Sequence, residues 1–290
     1  MIRRHFLALL AAARAPSSVQ LYIGNYGMQS LDPMAALTAI RKIGYDAAEL
    51  CLMPGWPTEP SKLDAAMRKR IARQPLPILS MIENFNTLVD EQAHQATLDR
   101  IRAAATLAHD LAPQAPPILQ SVLGGKPNEW EQVKDKMAAR LADWARVAAE
   151  NKLKLAVKSH IGSASDTPEK LVWLLNKVNN PALSGIYDYG HFQLLNLMLS
   201  KSLNTLLPRC SFITLKDGRM VDGKAQFLLP GDGSIDYKEY FALLKQKNYR
   251  GPILIEITRQ LQTQSGYDPI AAARRSYENI APLLAAANLR

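Results

Sequence analysis

Ionisable residues stand where short apolar runs end: Glu83, Lys158, His160, Asp188, His191, Lys216, Asp217 and Glu256. Leu155-Ala156-Val157 leads into Lys158-Ser159-His160, and Gly185-Ile186-Tyr187 into Asp188-Tyr189-Gly190-His191. Phe212-Ile213-Thr214-Leu215 leads into Lys216-Asp217, and Ile253-Leu254-Ile255 into Glu256. Charge at the end of a buried strand is costly unless it is paired, hydrated or bound to metal. Several such groups at one place therefore imply a polar pocket. Carboxylates and imidazoles move protons there, and an ammonium polarises a carbonyl. Taken singly, each group has a plainer account as half of a structural ion pair. For Lys216-Asp217, anchoring the loop after the strand is as good an account as chemistry. Asp188 and Glu256 are the strongest functional candidates, and for His160 and His191 both accounts stand.

The elements that must position these groups alternate along the chain. Strands are expected at Val19 to Gly24, Ala47 to Leu52, Pro77 to Ile82 and Pro117 to Val122. Four more follow at Leu153 to Lys158, up to Tyr187, Ser211 to Leu215 and Pro252 to Ile257. Helical spacing fills the gaps. Asp32-Pro33 opens the first helix and Gly44 ends it. Helices are then expected over Ser61 to Arg73, Thr87 to Leu111 and Asn128 to Asn151, and from Asp166 through Val178. The last three are Phe192 to Leu207, Tyr237 to Lys247 and Pro269 to Ala287. Trp130, Val133, Met137, Leu141, Trp144 and Ala148 recur at helical spacing, which reads as core rather than as a binding face. Gly218 to Ser234 reads as a long glycine-rich loop. Eight alternating strand and helix signals imply parallel βα units, and over this length a closed single-domain (β/α)8 TIM barrel. In such a barrel the strand ends converge on one face, where the active site lies. No Gly-x-Gly-x-x-Gly follows the first strand, which argues against dinucleotide binding.

The chain has 290 residues, 48% of them hydrophobic and 21% charged, as in a soluble globular protein. The net charge is +9, but without Arg3, Arg4 and Arg14 there remain 32 Lys and Arg against 26 Asp and Glu. The basic residues are scattered on helical patterns, so solvated faces are expected and no nucleic-acid surface. Cys51 and Cys210 are too few for a disulfide framework and are expected as buried thiols. Residues 1–18 read as a twin-arginine export signal: Arg3-Arg4-His5-Phe6-Leu7, a short apolar core and an Ala13-Arg14-Ala15 cleavage pattern. That reading implies a periplasmic or secreted protein, with residues 19–290 as the barrel; a plain basic extension on a cytoplasmic protein is the alternative. No other apolar run reaches the length of a membrane span. Oligomerisation is open, since the apolar Phe192 to Leu207 pattern suits either an interface or barrel packing.

From Gln20 to about Leu284 the sequence resembles the xylose-isomerase-like barrels, the sugar phosphate isomerases and epimerases. Asp188-Tyr189-Gly190-His191 matches the strand-six Asp-x-x-His, and Leu215-Lys216-Asp217-Gly218 the strand-seven Lys-Asp. Pro230-Gly231-Asp232-Gly233-Ser234-Ile235-Asp236-Tyr237 matches the loop before helix seven, and Gly251-Pro252-Ile253-Leu254-Ile255-Glu256 the final strand and its acid. The resemblance implies a divalent metal (manganese, cobalt, zinc or magnesium) held by side chains of strands five to eight, usually Glu, Asp, His and Glu. It implies a small carbohydrate substrate whose carbonyl the metal polarises, an enediolate formed by proton removal, and two glutamates as acid and base.

The sequence departs from that pattern twice. Lys158-Ser159-His160 replaces the strand-five Glu-Asn-His, and Thr214 replaces the strand-seven His. Asp188 and Glu256 remain as metal ligands, facing a cation that opposes metal binding. Three readings follow. The first is a sugar isomerase or epimerase with an altered metal site that recruits His160 or His191. In the second, a metal-independent lyase, hydratase or isomerase uses Lys158 as electrophile, with Glu256 or His191 moving the proton. The third is a non-catalytic carbohydrate-binding barrel. Glu256, Lys158 and His191 are the expected catalytic residues; His160, Lys216 and Glu83 are expected to bind substrate.

Overall fold

The computed structural model describes residues 18–290; the expected export signal lies outside them, apart from its last residue. Among the described residues ten strands form two sheets. β1 (Leu21–Gly24), β2 (Ala47–Cys51), β3 (Ile78–Ile82), β4 (Ile118–Val122), β5 (Leu155–Lys158), β6 (Leu183–Asp188) and β7 (Cys210–Leu215) are all barrel strands. β8 (Asp217–Val221) and β9 (Lys224–Leu228) make a separate antiparallel hairpin, and β10 (Ile253–Ile255) completes the barrel. The closed order is β1-β10-β7-β6-β5-β4-β3-β2, parallel throughout. Register brings Lys158 opposite Ile186, Asp188 opposite Thr214, and Ile255 opposite both Leu215 and Ile23. The candidate residues at these strand ends thus rise together at the C-terminal rim. Among the described residues, no helix is long and apolar enough to cross a membrane.

Local chemistry sets the helix starts. Asp32 accepts hydrogen bonds from the amides of Met34 and Ala35, with Pro33 at the first helical position. Gly44 then ends that helix at φ 113°, where a side chain would be strained. Asp64, Thr167, Asp236 and Asp268 cap later helices in the same way. Two apolar layers hold the barrel. Outward-facing strand residues such as Leu50, Leu119, Val157 and Ile213 pack under the helices. Inward-facing Tyr22, Ala156, Ile186, Phe212 and Leu254 plug the barrel below the site. Trp144 is buried edge-on against Phe85, and Trp130 against Trp173, so the tryptophan stripe is core.

Four expected elements differ. The helix expected from Thr87 begins at His94, and the one expected from Ser61 begins at Ala65. The Phe192 to Leu207 helix is two helices, Tyr189–Leu194 and Leu199–Leu206, parted by Asn196 at φ 57°. The glycine-rich loop contains the β8–β9 hairpin. Asp222 and Gly223 at its tip have φ of 48° and 72°, the left-handed pair that a two-residue hairpin turn needs.

Candidate active site

Four strand ends build a buried square of charge. Lys158 ends β5, Asp188 ends β6, Lys216 follows β7 and Glu256 follows β10; all are fully or almost fully buried. The Lys158 ammonium donates to one Glu256 oxygen and, at 3.4 Å, to Asp188 Oδ2. Lys216 Nζ donates to the other Glu256 oxygen at 2.6 Å and lies 3.1 Å from Asp188 Oδ2. Two cations and two anions thus cancel. His191 lies one helical turn beyond Asp188, and its Nε2 is 3.0 Å from Lys216 Nζ. An ammonium can only donate, so that nitrogen carries the lone pair. A Cβ at Gly190 would run into the Lys216 side chain, which is why glycine stands between Asp188 and His191 in space as in sequence.

The electrostatics follow from this packing. Burial pushes the Glu256 carboxyl up, but Lys158 and Lys216 outweigh it and hold the group well below the usual carboxylate range. Burial likewise disfavours the Lys158 ammonium, yet Glu256 and Asp188 keep it charged, with its pKa above the ordinary lysine value. His160 is pushed down to about 4 by burial and by Lys216 and Lys158. His191 is held well below its usual value by burial and Lys216. Both imidazoles are therefore neutral at pH 7; their rings lie 4.1 Å apart. His160 Nδ1 meets the Ile161 carbonyl, which can only accept, so its proton sits there and Nε2 is left as a base.

These groups floor a cavity of about 240 Å³ that Lys158, His160, His191, Lys216 and Glu256 all line. Tyr26, Asn84, Phe227, Thr258 and Arg259 line it as well, and sequence reasoning assigned none of them a role. Phe227 comes from the hairpin and lies edge-on to His191 at 5.6 Å and 5.7 Å from Lys216 Nζ. The Asp222-Gly223 turn signal was enough to find that hairpin. Glu83, expected to bind substrate, does not line this cavity. Its buried carboxyl pairs with Arg100 on the far side of β3, and burial raises its pKa to about 7 despite that partner. Lys216 and Asp217 divide their tasks. Lys216 faces the cavity, whereas Asp217 accepts from the amides of Gly218, Gly231 and Ile235 and ties down the returning loop.

The donor set does not suit a divalent metal. Each carboxylate already faces two ammoniums, and Thr214 offers only a neutral hydroxyl, which is buried with no partner. Among the described residues no group of three His, Cys, Asp or Glu is placed to hold an ion. A divalent ion between Asp188 and Glu256 would displace one ammonium and repel the other.

Comparison with known proteins places the chain. It is 27% identical over 165 residues to an inosose dehydratase of Yersinia enterocolitica, covering 51% of this chain and 54% of that protein. It is 23% identical over 243 residues to inosose dehydratase 1 of Bacillus cereus, covering 75% and 81%. The chain thus spans little more than half of the Yersinia relative and most of the Bacillus one. Among solved structures, an IolI protein with a bound zinc atom superposes with a TM-score of 0.77 at 16% identity, over 92% of this chain and 99% of that one. An L-ribulose 3-epimerase superposes with a TM-score of 0.72 at 16% identity, over 93% and 96%. The family model for the xylose isomerase-like TIM barrel matches residues 37–282, and the chain belongs to that family.

Proposed function

We propose that this chain is an enzyme that removes a proton beside the carbonyl of a hydroxy-carbonyl carbohydrate, with Lys158 as electrophile where the family resemblance implies a metal. The observation that carries this reading is the pair of ammoniums, Lys158 and Lys216, at the floor of the cavity. A substrate carbonyl oxygen seated there accepts from Lys158, and the negative charge that develops on it is stabilised by a cation already in place. The raised pKa of Lys158 keeps it protonated, so it acts as a donor and not as a Schiff-base nucleophile.

His160 is the base. The proton passes from carbon to Nε2, the C–H electron pair becomes a C=C bond, and the carbonyl π pair moves to the oxygen held by Lys158. Glu256 is a poor base, because both its oxygens are engaged and its pKa is depressed. Its work, with Asp188, is to hold the two lysines, and His191 holds Lys216 from the other side.

From the enolate, loss of a β-hydroxyl gives dehydration; the imidazolium of His160 returns its proton to the departing oxygen as water. The likeness to inosose dehydratases supports this outcome. So does the lysine at the end of β5, because epimerisation needs a base on each face and one carboxylate of that pair is gone. Isomerisation is the second reading. It is supported by the two neutral imidazoles 4.1 Å apart, which offer a second proton carrier.

The test is solvent exchange. The full chain is incubated in deuterium oxide with keto-inositols, ketohexoses and keto sugar acids and followed by proton NMR. Loss of the signal beside the carbonyl is expected whichever product forms, and the product spectrum then separates dehydration from isomerisation. No exchange with any carbohydrate that stabilises the protein would overturn the proposal and leave a binding barrel.

A further inference from the structure

Among the described residues, Arg259 is the charge in the cavity that none cancels. Lys158 and Lys216 are balanced by Asp188 and Glu256, and both histidines are neutral. Arg259 lines the same cavity from the segment after β10. Its hydrogen bonds go to the side-chain amide oxygens of Gln29, at 2.8 Å, and Gln262, at 3.3 Å, both from Nη1. No carboxylate pairs with it among the described residues. Among the described residues Nε and Nη2 have no acceptor, and these two nitrogens form the edge of the guanidinium that matches an oxyanion in two parallel hydrogen bonds.

The side chain is also held in place. Its guanidinium lies 5.4 Å over the ring of Trp56, which is buried, stacks on Tyr26 and donates its indole N–H to the Tyr26 carbonyl. Tyr26 is itself a cavity wall. The next residue, Gln260, is bound on both amide atoms by the hairpin: Phe227 N–H donates to Oε1 at 2.6 Å, and Nε2 donates to the Ala225 carbonyl at 3.1 Å. An exposed arginine usually moves freely. This one is stacked, hydrogen-bonded and adjacent to a pinned residue, so little freedom remains to be lost when it binds.

We infer that the substrate carries an anionic group, a carboxylate or a phosphate, which Arg259 receives at the cavity mouth while the reacting carbonyl lies on Lys158. The inference rests on the carbohydrate reading of the site and names the substrate class within it: acidic sugars in preference to neutral ones. A charged hydrogen-bonded contact of this kind is worth about 10- to 100-fold in affinity.

Binding tests it without turnover. Calorimetry on the full chain compares D-glucuronate, D-gluconate, glucose 6-phosphate, inorganic phosphate and D-glucose at low salt. Acidic sugars are expected to bind at least 10-fold more tightly than glucose. Arg259→Gln should erase that preference and bring the acidic sugars to the affinity of glucose, whereas Arg259→Lys should keep it only in part, because the fork is lost. The sugar acids against the phosphate ester tell which anion is preferred; binding of inorganic phosphate as tight as the ester would mean an adventitious anion site and overturn the inference. Equal binding of neutral and acidic sugars, or a preference that survives Arg259→Gln, would also overturn it. The readouts separate from the function test: exchange on keto sugars alongside acidic-sugar binding that Arg259→Gln leaves untouched defeats only the anion, and Arg259-dependent acidic-sugar binding with no exchange defeats only the chemistry.

Discussion

Lys158→Met removes one charge from a buried square of four and keeps nearly the same volume, so no cavity opens. Glu256 loses a hydrogen bond on one oxygen and Asp188 loses a neighbour at 3.4 Å, leaving two carboxylates facing Lys216 alone. Breaking a buried pair from one side costs about 3–5 kcal/mol. At roughly 2 °C per kcal/mol for a domain of this size, the melting temperature should fall by about 6–10 °C, with the protein still folded at 25 °C. The sign with pH reverses as well. In the native chain Glu256 has a depressed pKa, so its contribution to stability is full above the ordinary carboxylate value and is lost as pH falls below it. In the variant, burial outweighs the single remaining lysine and the Glu256 pKa rises, so stability falls as pH increases from 5 to 8. Adding Glu256→Gln restores charge balance between Lys216 and Asp188, and the double variant should recover most of the loss. Carbon-bound hydrogen exchange should drop by about 10²- to 10³-fold in Lys158→Met, the usual effect of losing a donor to a developing oxyanion. Urea titrations at pH 5, 6.5 and 8, with exchange rates alongside, measure all of this. A variant within about 0.5 kcal/mol of the native chain, flat with pH and exchanging at the native rate, would refute the role given to Lys158.

Chelator-treated protein should show no melting shift with manganese, cobalt, zinc or magnesium, whereas Lys158→Glu/Thr214→His should gain about 2.7 kcal/mol with metal at a hundred times its dissociation constant; scanning calorimetry reads both. His160 has its pKa lowered to about 4, so the unfolded chain takes up the proton first, and its contribution to stability falls as pH drops from the ordinary histidine value to about 4. Exchange should accordingly rise through pH 4 and level off by neutrality, and His160→Gln should lower it by about 10²-fold or more at an unchanged fold. Glu83→Gln leaves the cavity intact, so exchange should stay within about twofold, whereas Asp217→Ala frees three loop amides and should cost about 2–4 kcal/mol, read by urea titration.

The barrel was legible because its signals repeat. Apolar runs, each capped by a helix start such as Asp32-Pro33 or Thr167-Pro168, fix eight βα units with no knowledge of which strands pair. The charged strand ends were legible for the same reason: a charge at the end of an apolar run has nowhere to go but the rim. What was not legible is which way each charge turns. Glu83 and Lys216 look alike in sequence, but Glu83 meets Arg100 across β3 while Lys216 enters the square. Asp217, one residue on, turns to the loop amides. Phe227 and Arg259 escaped because their place depends on a hairpin folding back and on Trp56, distant in sequence, forming a platform.

The replacement at the end of β5 has a simple electrostatic logic. The metal-binding pattern that the resemblance implies puts three carboxylates around a divalent ion, with the strand-seven lysine beside them, and the sum is zero. Exchanging glutamate for lysine at position 158 adds two positive charges to the side chains, the same as the ion supplied. The square of Lys158, Lys216, Asp188 and Glu256 again sums to zero. With that charge present, a metal would leave two excess positive charges in a buried site, which is why Thr214 can stand where a histidine ligand was needed. The retained carboxylates follow from the same constraint: two buried ammoniums without Asp188 and Glu256 would be far costlier than the pairs they form. Lys158 therefore accounts at once for the threonine that stands where the resembled pattern has a histidine and for the two carboxylates that remain, and on the proposed reading it leaves the neutral His160, rather than either carboxylate, as the group free to take a proton.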